Sequence, residues 1–211
     1  MNAYIAQLVE QENLDPVNII SHSMGGTIAC LFAGVYPEKV SSLVSVEGVG
    51  GFWYMRTDEH PQTRIREWVD GTRQLSSRVP RKYANLSEAF QRMQKSNPHL
   101  SEERVRHLTA HGSNRNEDGT YSWKFDNYTH SRSPLGMDFN DMTQLWEKIA
   151  CPTLLMNARQ GFPHRTGQDN TLQFFKQGEI LDIDQAGHWL HHDQFEQYIA
   201  ACSAFLKQHA R

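Results

Sequence analysis

Apolar positions along the chain alternate between two rhythms. Tyr4, Ile5, Leu8 and Val9 recur at helical spacing and predict a helix ending near Asn13. Val17, Ile19 and Ile20 follow Pro16 as a short apolar run, the pattern of a buried strand. After Ser21-His22-Ser23-Met24-Gly25-Gly26, a second helical stretch runs from Thr27 to Val35 and is stopped by Pro37. Val40 to Val46 predicts another strand, closing at Glu47 and a turn rich in glycine (Gly48, Gly50, Gly51). Strand, turn, helix and strand at this spacing predict parallel strands joined by a crossover helix.

From Phe52 to Trp146 the texture changes. Charge rises, apolar residues thin out, and helical patterns fall at Arg64–Gln74, Leu86–Gln94 and Ser101–His111, the last opening on a serine suited to cap it. Gly112 to Tyr121 reads as a polar loop. Strand patterns return at Leu154–Asn157, after Cys151-Pro152, and at Glu179–Ile183. A closing helix begins near Asp193, with Phe195, Tyr198, Ile199, Cys202, Phe205 and Leu206 on one face. The expected organisation is an α/β core over residues 1–51, a helical cap insertion over 52–146, and the rest of the core over 147–211. Within the insertion, Trp68 and Trp146 are expected to form the cap's own core.

Composition narrows the function classes. Hydrophobic residues make up 38 % of the 211 and charged residues 21 %, a globular balance. Net charge is −3 and no Lys/Arg block forms a stripe for phosphates, which disfavours nucleic acid as a partner. No run is long enough to span a bilayer, and Met1 to Glu10 lacks the pattern of a signal peptide. Cys30, Cys151 and Cys202 are far apart and odd in number, the usage of reduced thiols in a cytoplasmic protein.

A nucleophile on a sharp strand-to-helix turn needs small neighbours, and its usual pattern is Gly-x-Ser-x-Gly. Here it reads Ser21-His22-Ser23-Met24-Gly25, serine replacing the first glycine, with an apolar strand before it and a helix of small residues after it. Ser23 is the expected nucleophile. The helix N-terminus favours a developing anion, and the Met24 N–H is the expected oxyanion donor. On these residues, together with the Cys151-Pro152-Thr153-Leu154-Leu155 strand and the segment Gly187-His188-Trp189-Leu190-His191-His192-Asp193, the chain resembles the α/β-hydrolase superfamily, in particular serine-hydrolase-like esterases. The fold implied is a mostly parallel sheet flanked by helices, the C-terminal part of the α/β-hydrolase fold, with a helical cap insertion.

The resemblance implies a catalytic histidine in the loop after the last strand, where His188 stands behind a permissive glycine. His188 and His192 also have a spacing that zinc ligands use, but no third ligand follows at a recognisable distance, so no metal site is expected. Most of the family takes its acid from the turn after the strand that here ends near Asn157. That turn reads Asn157-Ala158-Arg159-Gln160-Gly161, and Gln160 carries no charge. A minority of relatives takes the acid from the end of the strand after the nucleophile helix, which points to Glu47, with Asp169 or no carboxylate at all as the alternatives. Phe52, Trp53 and Trp189 are the expected pocket residues, and His22 is expected either to line the pocket or to orient the elbow.

The resemblance also implies that the family's earlier strands, and the loop donating a second oxyanion N–H, are lacking here. The expected function is hydrolysis of small-molecule carboxylic esters through an acyl-enzyme, without a cofactor. The alternative is a weak or inert α/β-hydrolase fragment acting as a binding or structural piece. Oligomeric state has no signature in the sequence.

Overall fold

The structure, a computed structural model, describes residues 2–48, 60–126, 128, 136–162 and 170–209. The chain divides into two compact units, one of Met1–Met55 with Met137–Arg211, the other of Arg56–Gly136.

The first unit is built on a four-stranded parallel sheet. After helix α1 (Asn2–Gln11) come strand β1 (Val17–His22), helix α2 (Met24–Val35) and strand β2 (Val40–Val46). Strands β5 (Thr153–Ala158) and β6 (Gly178–Ile183) complete it in the order β1-β2-β5-β6, every pair parallel. The central strands are buried on both faces, which is why they read as unbroken apolar runs rather than alternating ones. Their side chains still alternate. Leu43 and Leu155 join Val9, Cys30, Phe32, Met142 and Trp146 in one core. Val44, Val46, Leu154 and Met156 join Ile183, Leu190, Cys202 and Phe205 in the other. Helices α7 (Leu190–Asp193) and α8 (Phe195–His209) close the unit. Only part of the expected α8 stripe is buried: Cys202 and Phe205 enter the core, while Phe195 and Ile199 are exposed. Among the described residues β1 is an outer strand, and its Ile20 is 44 % exposed.

The second unit holds helices α3 (Pro61–Ser77), α4 (Leu86–Ser96) and α5 (Glu102–Gly112). Asn85 and Ser101 cap α4 and α5 by accepting from Glu88 N and Arg104 N. Gly112 to Tyr121, expected as a loop, instead forms an antiparallel hairpin of β3 (Ser113–Arg115) and β4 (Tyr121–Trp123). Its three-residue strands are too short to leave a periodicity in sequence. Tyr83 pairs with Tyr121 beside it and stacks edge-on against Trp123.

Two tryptophans depart from expectation. Helix α6 (Phe139–Trp146) belongs to the first unit, where Trp146 lies buried against Phe175 and in one cluster with Phe32. Trp68, expected in the core of the second unit, is 41 % exposed on α3. The apolar face of α6, Met142 and Trp146, packs into the first unit's core, a partner that its own pattern cannot name.

Candidate active site

Ser23 is the single residue between the end of β1 and the first residue of α2. Its backbone lies at φ 56°, ψ −124°, a region that costs a non-glycine residue about 1–3 kcal/mol and that the surroundings must hold in place. Several bonds do so. Ser23 N donates to Val46 O at 2.8 Å, extending the β1–β2 ladder past the strand end, and Ser23 O accepts from Gly26 N and Thr27 N. Thr27 Oγ1 donates to Gly48 O, tying α2 to the end of β2. The turn is tight because Gly26 and Gly48 pass in direct contact: a Cβ on Gly26 would sit 2.7 Å from Gly48 Cα. Ser21, in place of the usual first glycine, fits because its hydroxyl donates to Val44 O at 2.9 Å.

Glu47 occupies the equivalent place one strand over. It follows β2, also has positive φ (49°), and its N–H donates to Met156 O at 2.8 Å. Its side chain is only 3 % exposed. Two backbone donors meet it, Ala158 N on Oε1 at 2.6 Å and Phe162 N on Oε2 at 3.3 Å. Gly161 leaves the room for this: a Cβ there would overlap the carboxylate.

His188 lies between these two residues. Its Nε2 is 2.8 Å from Ser23 Oγ and its Nδ1 is 3.4 Å from Glu47 Oε2. Both ring nitrogens are thus engaged by the protein. With Glu47 accepting at Nδ1–H, the lone pair of Nε2 faces the hydroxyl, the orientation a general base requires. The Glu47 contact is long for a hydrogen bond, as such contacts often are without substrate. Met24 opens α2, so its N–H has no partner within the helix and is open to an anion at Ser23.

Other residues collect around this constellation. The Phe162 ring lies 4.3 Å from the His188 ring. His22 packs on His188 and His191, and Trp189 stacks on His192. Burial lowers the pKa of His22, and burial together with neighbouring imidazoles pushes His191 down to about 3, so both rings stay neutral beside His188. Gln160 does not reach His188; its Oε1 accepts from Ala186 N at 2.9 Å.

The whole geometry sits at the carboxyl edge of the sheet, where ligands collect in open α/β folds. A family model described as the alpha/beta hydrolase fold matches residues 1–195. The chain belongs to the α/β-hydrolase fold family. Among α/β-hydrolase relatives, it is 25 % identical over 161 residues to a serine hydrolase-like protein of Danio rerio, covering 75 % of this chain and 49 % of that one. It is 26 % identical over 223 residues to the sn-1-specific diacylglycerol lipase ABHD11 of Mus musculus, covering 98 % of this chain and 64 % of that one. The chain therefore spans about half to two thirds of these relatives. A hypothetical protein from Pseudomonas aeruginosa PAO1 has the same fold, with TM-score 0.84 and 23 % identity over 100 % of this chain and 73 % of that one.

Of the residues expected from sequence in this α/β-hydrolase, Ser23, His188 and Glu47 come together, with His22, Met24 and Trp189 beside them. Phe52, Trp53 and Asp169 lie outside the described residues. Among the described residues no group of three or more histidine, cysteine or acidic side chains is arranged to hold a metal ion, and no helix is long and apolar enough to cross a membrane. The sequence assigns Phe162 and Asp193 no role at the site, and it shows Gln160 and Gly161 only as an uncharged turn. Gly161, a glycine directly after the strand-end turn, was the one signal that this loop presses on a neighbour.

Proposed function

We propose that this chain is a serine-dependent hydrolase of carboxylic esters. The observation that carries the reading is the 2.8 Å contact of Ser23 Oγ with His188 Nε2, backed by Glu47 on the opposite ring nitrogen. Ser23 Oγ attacks the ester carbonyl while His188 Nε2 takes the hydroxyl proton. The Met24 N–H and the start of α2 stabilise the oxyanion, a donor type whose removal costs about 10²–10³ in rate. His188 then protonates the departing alcohol, and the acyl group stays on Ser23. Water, deprotonated by His188, attacks the acyl carbon; the acyl–Oγ bond then breaks, His188 returns the proton to Ser23 Oγ, and the acid leaves. Glu47 keeps the imidazole in one tautomer and offsets its transient charge.

No cofactor enters these steps. The substrate class is supported by the names of the lipase and serine-hydrolase relatives. Phe162 and Trp189, whose rings lie against His188 and His22, supply apolar surface beside Ser23 for a small-molecule ester. The buried thiols of Cys30, Cys151 and Cys202 are unpaired, which supports a cytoplasmic setting.

A fluorophosphonate probe tests the reading. Stoichiometric labelling of the chain, abolished in Ser23→Ala with circular dichroism unchanged, is the expected result. One observation favours a second reading, a binding or structural piece with little activity: among the described residues β1, which presents Ser23, is an outer strand with an exposed isoleucine. Well-folded wild-type protein that resists the probe would select that reading.

A further inference from the structure

The loop that carries His188 has little regular structure of its own, yet its backbone is gripped residue by residue from other segments. Gln185 O accepts from Gln194 Nε2 at 3.1 Å. Ala186 N donates to Gln160 Oε1 at 2.9 Å, and Ala186 O accepts from Gln160 N at 3.0 Å. Gly187 N donates to Asp193 Oδ2 at 2.8 Å. His188 O accepts from His22 Nε2 at 2.8 Å.

The last of these bonds differs in kind. Gln160 comes from the loop after β5, and Asp193 and Gln194 from the junction of α7 and α8; they shape the loop from its own side. His22 is the final residue of β1 and directly precedes Ser23. Its side chain therefore connects the backbone of the imidazole to the backbone that raises the hydroxyl. A carbonyl oxygen only accepts, so His22 Nε2 must carry the proton and Nδ1 must lack it in the neutral ring. Ring contacts hold that orientation: the His22 centroid is 4.7 Å from His188 and 4.4 Å from His191.

We infer that His22 is a positioning residue, whose Nε2–H bond to His188 O sets the separation between Ser23 Oγ and His188 Nε2. The inference rests on the reading of Ser23 and His188 as nucleophile and base; of the two roles the sequence left open for His22, it excludes pocket lining and replaces orienting the elbow by holding the histidine loop. The two roles predict different kinetics. A pocket residue changes substrate binding, whereas a tether changes the alignment of reacting atoms, for which a displacement of 1 Å costs about 10²-fold.

The test uses the 211-residue chain with His22→Phe and His22→Gln. Phenylalanine keeps a ring against His188 and His191 but has no donor; glutamine places an amide N–H near the position of Nε2. With a p-nitrophenyl ester, His22→Phe is expected to lower kcat by about 10–10²-fold with KM within a factor of about two, and His22→Gln to recover most of the loss. Histidine side-chain ¹⁵N NMR gives a second readout that needs no turnover. His22 should appear as the neutral, Nε2-protonated tautomer, and His22→Phe should shift the His188 ring signals where His22→Gln leaves them in place. A wild-type chain that neither turns over nor labels would remove the hydrolase reading, while the NMR still decides the tether. An Nδ1-protonated His22, or a Phe variant with raised KM and unchanged kcat, would overturn the inference.

Discussion

The loops after β2 and β5 both converge on the segment that carries His188, but they bring opposite chemistry. The β2 end supplies a carboxylate, Glu47, aimed at the imidazole ring. The β5 end supplies neutral groups: Ala158 N and Phe162 N on that carboxylate, and the Gln160 amide on the backbone of Ala186. At these two strand ends a carboxylate meets the ring and a neutral amide meets the loop's backbone, while Asp193, from the end of α7, adds a further hold on Gly187 N. The arrangement separates holding the ring's proton from holding the ring's backbone.

Glu47→Gln breaks this division most severely. The carboxylate meets three donors, Ala158 N, Phe162 N and His188 Nδ1–H. An amide can accept at only one atom, so its NH₂ must face a donor. The imidazole then loses the partner that fixes its tautomer. Ester turnover is expected to fall by about 10²–10⁴-fold in kcat, measured at saturating p-nitrophenyl ester. Asp169→Asn, at the rival acid position, should stay within about threefold of wild type; the opposite ranking would move the acid to Asp169.

Gly161→Ala disturbs the same carboxylate from the β5 side. The added Cβ would lie 2.8 Å from Glu47 Cδ, and the carboxylate has nowhere to go while two backbone N–H groups hold it. It must give up the longer Phe162 bond or turn away from His188. The expected loss is about 10–10²-fold in kcat with the fold retained by circular dichroism. A silent Gly161→Ala would show that the Glu47 position is softer than its burial suggests.

Sequence carried these regions unequally, for physical reasons. Ser23 was legible because an elbow is local: strand, small residues and helix adjoin it within a few positions. His188 stood out as a Gly-His pair after the last strand. Glu47 could be reached only indirectly, from the uncharged turn after β5 and from the end of β2. The groups that hold Glu47 could not be read at all, since Ala158 and Phe162 bond it across 111 and 115 residues by backbone N–H, which every residue but proline has. The same limit explains Trp146, whose apolar character was plain while its partner across the insertion was not, and the β3–β4 hairpin, whose strands are too short for alternation to register.

Gln160→Ala is the mildest break and the one that tests the neutral half of the comparison. The side chain is exposed, but the Ala186 N–H that it satisfies belongs to a buried residue. Removing the acceptor leaves that donor to water arriving from the open side, so a typical single hydrogen bond of about 1 kcal/mol should be lost from stability in urea denaturation. The backbone half of the clamp, Gln160 N on Ala186 O, remains. Turnover should fall by less than about tenfold, because His22 on His188 O and Asp193 on Gly187 N still hold the loop's backbone. A Gln160→Ala loss as deep as that of Glu47→Gln would mean the loop's backbone, rather than the carboxylate on the ring, limits the chemistry, and the division of labour between the two strand ends would be wrong.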